Sequence, residues 1–216
     1  MSEPFIRNHQ YNFIKQQATI LQRAYKTVHD SGVLEAVRGS AESKIMQMFP
    51  DHTDIQKQVI ENIAIAKTAE DFEHYLHSLE PYLLTFPHVT DKQIKKLFPK
   101  NKKLKIPDLS TVDLRYVTYL GWIDISTHKL FMIYHLDGKI VGIEGRYTPI
   151  QKKNLCFLCN DIKEVALVSA RSKAKLAHIP DYYKSVGNYM CINSQECNRS
   201  MTDVANVERF IHNVLG

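Results

Sequence analysis

Four cysteines carry the clearest chemical signal in this sequence, and all of them lie at or beyond residue 156. Cys156 and Cys159 form a CxxC pair, and Cys191 and Cys197 form a second pair with five residues between them. A CxxC turn presents two sulfurs to one ion without strain, and structural Zn²⁺ sites prefer tetrahedral thiolate coordination. The spacing therefore predicts one structural zinc ion bound by all four cysteines.

Three other interpretations of the cysteines are weaker. Disulfides are rare in cytosolic proteins, and a redox CxxC usually accompanies a thioredoxin-like βαβ pattern, which this sequence lacks. Four unrelated buried thiols would not be expected to fall into two pairs. Four protein ligands leave no open coordination position, so the predicted metal is structural and not catalytic.

The order of the surrounding elements indicates the type of zinc site. The CxxC knuckle comes first, a segment of β structure follows, and the second pair precedes a predicted closing helix at Asp203–Leu215. This is the order of a treble-clef zinc site. The apolar stripe of the closing helix is predicted to consist of Val204, Val207, Ile211 and Val214.

The first hundred residues are predicted to be helical. One apolar stripe has steps of three and four, as a helix about five turns long requires, and comprises Tyr11, Ile14, Ala18, Leu21, Tyr25 and Val28. Ser31-Gly32 interrupts the pattern, a short helix stops near Gly39-Ser40, and one or two further turns follow over 41–49. Later helices begin near Thr53 and after Thr68, which has the character of an N-cap. Residues 1–99 are therefore predicted to form a helical bundle.

Beyond residue 99 the pattern changes to strands. Residues 100–108 are basic, contain a proline and are the predicted linker. Strands are predicted at 116–122, at 129–136 and 139–143 around an Asp137-Gly138 type I′ turn, and at 164–170. The prediction for the whole chain is an α+β protein, with a β-rich zinc-binding domain at 109–216.

Composition and charge exclude several classes of protein. No apolar run approaches the roughly 20 residues that a bilayer crossing needs, and the N-terminus has no secretory pattern, so we expect a cytosolic protein. The net charge is +5, and the excess lies wholly beyond residue 100, which favours a partner with an acidic face. There is no GxxxxGK[ST], GxGxxG, HExxH or GxSxG motif, so we do not expect an enzyme.

The sequence resembles a known family over essentially its whole length. The resemblance rests on the Cys-Phe-Leu-Cys knuckle at 156–159, on Tyr-Lys-Ser-Val-Gly-Asn-Tyr-Met-Cys at 183–191, and on the domain order and chain length. It resembles the FusB-type fusidic acid resistance proteins, also called elongation factor G-binding proteins.

The resemblance implies a binding protein that protects a drug target. Members of the family bind elongation factor G, chiefly through contacts of the zinc domain with the C-terminal domains of the factor. They help it leave ribosomes on which fusidic acid has trapped it. Carried over to this sequence, the contact is expected to centre on exposed aromatic and basic residues near the zinc. The candidates are Phe157, Lys184, Tyr189 and Phe210, the last because it lies off the predicted apolar stripe.

A second function stays open on the sequence alone. Zinc-containing domains with basic and aromatic surfaces often bind RNA by stacking and phosphate contacts, so the chain also fits a zinc-containing RNA-binding or ribosome-binding protein. No heptad repeat is present, and we expect a monomer.

Overall fold

The chain divides between Leu84 and Thr85 in the computed structural model, which describes residues 3–172 and 184–216. Tyr183, in the segment that carries the family resemblance, lies outside the described residues. No helix within the described ranges has the length and apolar character that a membrane crossing requires.

Helices, joined by short connections, make up most of the described part of the first unit. Its N-terminal segment returns to the end of the unit, because Ile6 forms a parallel bridge with Leu83. Its core contains Ile14, Leu21, Ile45 and Phe72, all buried. The helices are α1 (Asn8–Thr27), α2 (Ser31–Gln47), α3 (Asp54–Glu61) and α4 (Ala69–Ser78).

Threonine caps fix the starts of α3 and α4 where the sequence predicts them. The Thr53 hydroxyl accepts from the amide of Gln56, and the Thr68 hydroxyl accepts from the amide of Asp71. In each case the amide of the cap residue donates to the side-chain oxygen of the residue at N3, which completes a capping box. The predicted N-cap at Thr68 is confirmed.

The predicted break at Gly39-Ser40 is wrong, because α2 runs continuously from Ser31 to Gln47. A single glycine in a helix costs about 1 kcal/mol relative to alanine. Burial of Ala41 and Ile45 on the far side of Gly39 offsets that cost. The predicted interruption before this helix is present but lies at residues 28–30, because Ser31-Gly32 already begins α2, where Asp30 caps the amide of Val33.

The second unit contains an antiparallel meander. Its strands lie in sequence order across the sheet, so every neighbour in space is a neighbour along the chain. The strands are β1 (Leu120–Asp124), β2 (Lys129–Leu136), β3 (Lys139–Leu155), β4 (Ile162–Arg171) and β5 (Ser185–Cys191). The helices are α5 (Asp91–Leu97), α6 (Ser194–Ser200) and α7 (Ala205–Leu215).

The Asp137-Gly138 hairpin is confirmed. The backbone φ is 48° at Asp137 and 76° at Gly138, as a type I′ turn requires at both central positions. The predicted strand at 139–143 is too short, and the predicted strand at 116–122 begins too early. β3 continues to Leu155 with a register irregularity between Pro149 and Lys153, and the first strand begins only at Leu120.

Helices cover the sheet on two sides. Along β2, Met132 belongs to a core with Phe210 and Ile211 of α7, whereas Phe131 and Ile133 belong to a core with Ile94 of α5. Alternate residues of a strand point to opposite faces, so α5 and α7 lie on opposite faces of the sheet. The chain is therefore an α+β protein, as predicted.

Helix α5 belongs to the second unit by its contacts. A side chain at Gly142 of β3 would meet the Cβ of Leu97 at 2.8 Å and the ring of Phe98 at 3.0 Å, so the glycine permits this close approach. The boundary by contacts thus lies upstream of α5 and of the predicted linker at 100–108. The predicted domain limits, 1–99 and 109–216 with a linker between them, stay a prediction.

Asn198 of α6 attaches that helix to the start of the sheet. Its Oδ1 accepts from the amides of Thr118 and Tyr119 at 2.8 and 3.1 Å, and its Nδ2 donates to the carbonyl of Tyr119 at 2.9 Å. The side chain is buried. One amide group therefore connects α6 to the strand entry through three bonds.

We expect Asn198→Ala to destabilise the second unit by about 2 kcal/mol or more, because two buried amides lose the acceptor that they share. Urea unfolding followed by the fluorescence of Trp122, the one tryptophan of the chain, measures this unit. Asn213→Ala, at an exposed position of α7, is the control. Equal urea midpoints for the two variants would contradict the role given to Asn198.

Candidate metal centre

The first two cysteines lie on the turn between β3 and β4. The amide of Cys156 donates to the carbonyl of Asp161, and the amide of Asn160 donates to the carbonyl of Cys156, each at 2.9 Å. Asn160 adopts a left-handed φ of 55°, which asparagine tolerates better than most residues. These bonds close a knuckle that contributes the sulfurs of Cys156 and Cys159 to one cluster.

The second pair comes from two different elements. Cys191 ends β5 and pairs with Val165 of β4. Cys197 lies in α6, whose start is fixed by Asn193: its Oδ1 accepts from the amides of Gln195 and Glu196 at 2.9 and 3.2 Å. The sequence pattern did not predict this short helix. The Asn193 cap with an acidic residue three positions later was the available signal.

The four sulfurs have the spacing of a tetrahedral site. All lie within 4.8 Å of one another, with 3.9 Å between Cys156 and Cys197 and 3.7 Å between Cys159 and Cys191. A tetrahedron with Zn–S bonds of about 2.3 Å has sulfur–sulfur edges of about 3.8 Å. A disulfide needs about 2.05 Å, so the four thiols are not paired as disulfides. The cluster fits one zinc ion.

Because the four sulfurs are close together and buried, they can all be deprotonated only when a cation balances their negative charge. The four side chains are buried. Hydrogen bonds from the other three thiols lower the pKa of Cys156, while hydrogen bonding to Cys156 raises the pKa of both Cys191 and Cys197. One thiolate therefore disfavours the next, and a divalent metal removes the conflict because it binds the deprotonated form of every ligand.

Tyr119 supports the cluster from the sheet. Its ring is buried, and burial, followed by the electrostatic influence of Cys197, raises the pKa of its hydroxyl well above the ordinary value. A side chain at Gly121 would meet the Tyr119 ring at 2.7 Å, so the ring can occupy this position only because residue 121 is a glycine. Nothing in the sequence marks Tyr119 as a metal-supporting residue, because it reads as an ordinary strand aromatic.

Three of the four predicted partner residues have some exposure, and two of them, Phe157 and Tyr189, lie near the cluster, whereas Lys184 lies at the other end of β5. The amide of Phe157, a half-buried residue of the knuckle, donates to the carbonyl of Tyr189 at 2.7 Å. Tyr189 of β5 is 41% exposed, and Lys184 is exposed just before that strand. The backbone bond couples Phe157 directly to Tyr189.

The prediction that Phe210 is exposed is wrong, because its side chain is fully buried in α7. Val207, Phe210, Ile211 and Val214 have the i, i+3, i+4, i+7 spacing of a buried helical face. Val204, which the predicted stripe included instead, is the half-buried residue before the helix. Phe210 therefore packs in the core and does not lie at a surface.

Two residues beside the predicted surface were missed. The guanidinium of Arg209 lies 4.9 Å from the centre of the Phe157 ring, in a cation–π position. Leu167 of β4 is directly opposite Tyr189 and is also 41% exposed. The alternation of β4 could have revealed Leu167, but no sequence signal connects Arg209 with Phe157.

Matches to family models define the class of this protein. The model described as "Elongation factor G-binding protein, N-terminal" matches residues 5–87, and "FBP C-terminal treble-clef zinc-finger" matches residues 97–211. The chain therefore belongs to the elongation factor G-binding protein family, the FusB-type family. The treble-clef match and the cysteine cluster together establish one structural zinc.

A solved structure extends the likeness to nearly the whole chain. "Structure of the fusidic acid resistance protein FusC" describes a chain that is 29% identical, with a TM-score of 0.81 and coverage of 97% of each chain. No curated protein sequence matches the chain.

We expect Tyr119→Phe to lower zinc affinity about tenfold, because the substitution removes the hydroxyl that interacts with Cys197 and leaves the ring in the core. Zinc transfer to a chromogenic chelator measures this affinity. Tyr147→Phe, which removes a hydroxyl from another buried tyrosine of the same core, is the control. Identical transfer curves for the two variants would exclude a supporting role for the Tyr119 hydroxyl.

Proposed function

We propose that this protein binds elongation factor G and promotes its release from ribosomes stalled by fusidic acid, which gives resistance by target protection. The single observation that carries the proposal is the match of both halves of the chain to the elongation factor G-binding family. The likeness to the fusidic acid resistance protein FusC supports the connection with the drug.

In this proposal the zinc domain makes the main contact, with the C-terminal domains of the factor. Cys156, Cys159, Cys191 and Cys197 are the zinc ligands. The contact surface comprises Phe157, Lys184 and Tyr189, and Leu167 joins it because it lies opposite Tyr189.

An exposed apolar pair supports an interface here. Tyr189 of β5 and Leu167 of β4 lie opposite each other, and each is 41% exposed. Protein interfaces typically have an aromatic and apolar centre with a polar rim. A partner that covers these side chains removes their apolar surface from water, and this burial contributes favourably to the free energy of binding.

Positive charge lies at two ends of this surface. Arg209 lies over the Phe157 ring, and Lys184 and Arg171 lie together at the ends of β5 and β4 that are remote from the knuckle; all three are exposed. Such a rim complements an acidic partner surface and increases the rate of encounter. The positive excess of the sequence beyond residue 100 has the same sign.

The zinc contributes to binding by holding the surface in place. The knuckle, the end of β5 and α6 meet at the metal, and the bond from Phe157 to the Tyr189 carbonyl joins two of them. A surface that is already ordered loses less conformational entropy on association, so more of the contact energy contributes to affinity.

Release of the factor requires a difference in affinity between its states. A ligand shifts a conformational equilibrium only by its differential binding free energy. The protein therefore has to bind the released or releasing conformation of elongation factor G more tightly than the trapped one.

The proposed mechanism is binding and not catalysis. All four cysteines are assigned to a closed zinc site, which has no open coordination position for a substrate. We further propose that the protein acts in the cytoplasm, where translation factors work, and that it acts as a monomer.

We expect Tyr189→Ala to weaken the complex with elongation factor G by about 2 kcal/mol, or roughly 30-fold in Kd, because a central aromatic anchor is lost. Isothermal titration calorimetry with the purified factor measures the affinity. Ile125→Ala, at a 77% exposed apolar residue after β1, is the matched control and should leave Kd unchanged.

Two results would count against the proposal in different ways. The absence of any complex with the unaltered chain would reject elongation factor G as the partner. Equal affinities for Tyr189→Ala and Ile125→Ala would keep the partner but reject this surface.

A further inference from the structure

Residues 92–105 carry an unusual concentration of charge. Seven of these fourteen residues are lysines, and the stretch from 92 to 107 contains no aspartate or glutamate. All seven lysines are exposed. We call these seven side chains the lysine surface. It includes much of the predicted linker, but its position in the fold differs from that of a free connector.

The helical part of the lysine surface points away from the sheet. At roughly 100° per residue, Lys92, Lys95 and Lys96 of α5 fall within an arc of about 100°. Ile94 and Leu97 lie on the opposite side of the helix, where Ile94 is fully buried in the core with β1 and β2. The packing of α5 therefore forces the three ammonium groups outward together.

The loop part is anchored as well. The amide of Asn101 donates to the carbonyl of Phe98 at 3.0 Å, and the amide of Leu104 donates to the carbonyl of Asn101 at 3.1 Å, which makes two consecutive turns. Leu104 and Ile106 pack against the same core as α5. The four lysines of this loop, at positions 100, 102, 103 and 105, are therefore held on a fixed backbone.

The acidic groups near this surface do not neutralise it. Glu144 pairs with Lys129 and accepts from the Nδ2 of Asn101 at 2.6 Å, so its charge is largely taken by a lysine outside the surface. Asp124 lies near Lys105 and accepts hydrogen bonds from Ser126. Asp91 and Asp108 flank the stretch and are also exposed, so seven lysines face four carboxylates, one of which is already paired with Lys129, and the surface keeps a positive excess.

The chemistry of the surface distinguishes between two kinds of partner. Within residues 92–107, all of which the structure describes, no large apolar side chain is exposed. A protein interface normally needs an apolar centre, whereas contact with phosphates needs only positive charge. We infer that the lysine surface binds the phosphate backbone of a double-stranded nucleic acid without reading its sequence.

This inference is independent of the proposed partner. The apolar surface near the zinc includes Tyr189, and the lysine surface has no aromatic side chain on which bases could stack, because Phe98 is buried. Contacts limited to phosphates position a protein on a duplex and carry no sequence preference.

Binding to a fluorescein-labelled RNA hairpin of about 18 base pairs tests the inference, with a DNA duplex of the same sequence as the second arm. Affinity is measured by anisotropy from about 50 to 200 mM salt. The variant is Lys95→Gln, Lys102→Gln and Lys103→Gln combined. The control combines Lys139→Gln, Lys152→Gln and Lys153→Gln, which removes the same charge from exposed positions of β3.

The expected result is RNA binding that weakens steeply with salt. The lysine-surface variant should lose roughly tenfold or more in affinity, with a salt slope smaller by about one for each lost phosphate contact, and the control should keep its affinity. Titration with elongation factor G should give the same Kd for both variants. The duplex that binds more tightly identifies the nucleic acid that the surface serves.

Three outcomes would overturn the inference. The unaltered chain could show no binding to either duplex at low salt. The two triple variants could lose affinity equally, which would indicate only a general charge effect. The lysine-surface variant could keep RNA affinity but lose elongation factor G, which would make this a protein-binding surface. Failure of the unaltered chain to bind elongation factor G would leave the inference intact.

Discussion

Coordination of one zinc ion by four thiolates is the constraint on which the second unit depends. The antiparallel meander pairs only strands adjacent in sequence, so the sheet alone does not fix the knuckle against α6. The metal joins the β3–β4 knuckle, the end of β5 and α6. Asn198 supports this junction through its hydrogen bonds, and Tyr119 supports it through its buried ring. In such a site the free energy of metal binding contributes to the stability of the fold.

The junction positions a surface that the sheet by itself would not define. Phe157 on the knuckle is bonded through its amide to the carbonyl of Tyr189 on β5, so an exposed aromatic residue is fixed relative to the metal. The lysine surface of the same unit has a different character, because α5 packs through Ile94 and directs its lysines into solvent. One surface relies on apolar contact, which salt scarcely screens, and the other relies on charge, which salt screens strongly. The two therefore suit partners of different chemistry.

The sequence predicts best where one residue type has a single local role. Positive φ at Asp137-Gly138 and the cap at Thr68 follow from local chemistry, and the CxxC spacing follows from metal chemistry, so these predictions are confirmed. Predictions that depend on tertiary packing are weaker. Gly39 stays helical because residues beyond it are buried, and Phe210 is buried because the apolar face of α7 is wider than the predicted stripe. Contacts between distant residues, such as those of the Asn198 side chain with the amides of Thr118 and Tyr119, have no local signature at all.

The central claim is that the metal shapes the platform that binds the partner. It is tested most directly by titrating elongation factor G with the same preparation in the zinc-loaded form, after removal of zinc by a chelator, and after one equivalent of zinc has been returned. The account predicts binding in the first state, loss of binding in the second and recovery in the third. A metal-free chain that binds elongation factor G as tightly as the zinc-loaded chain would contradict it.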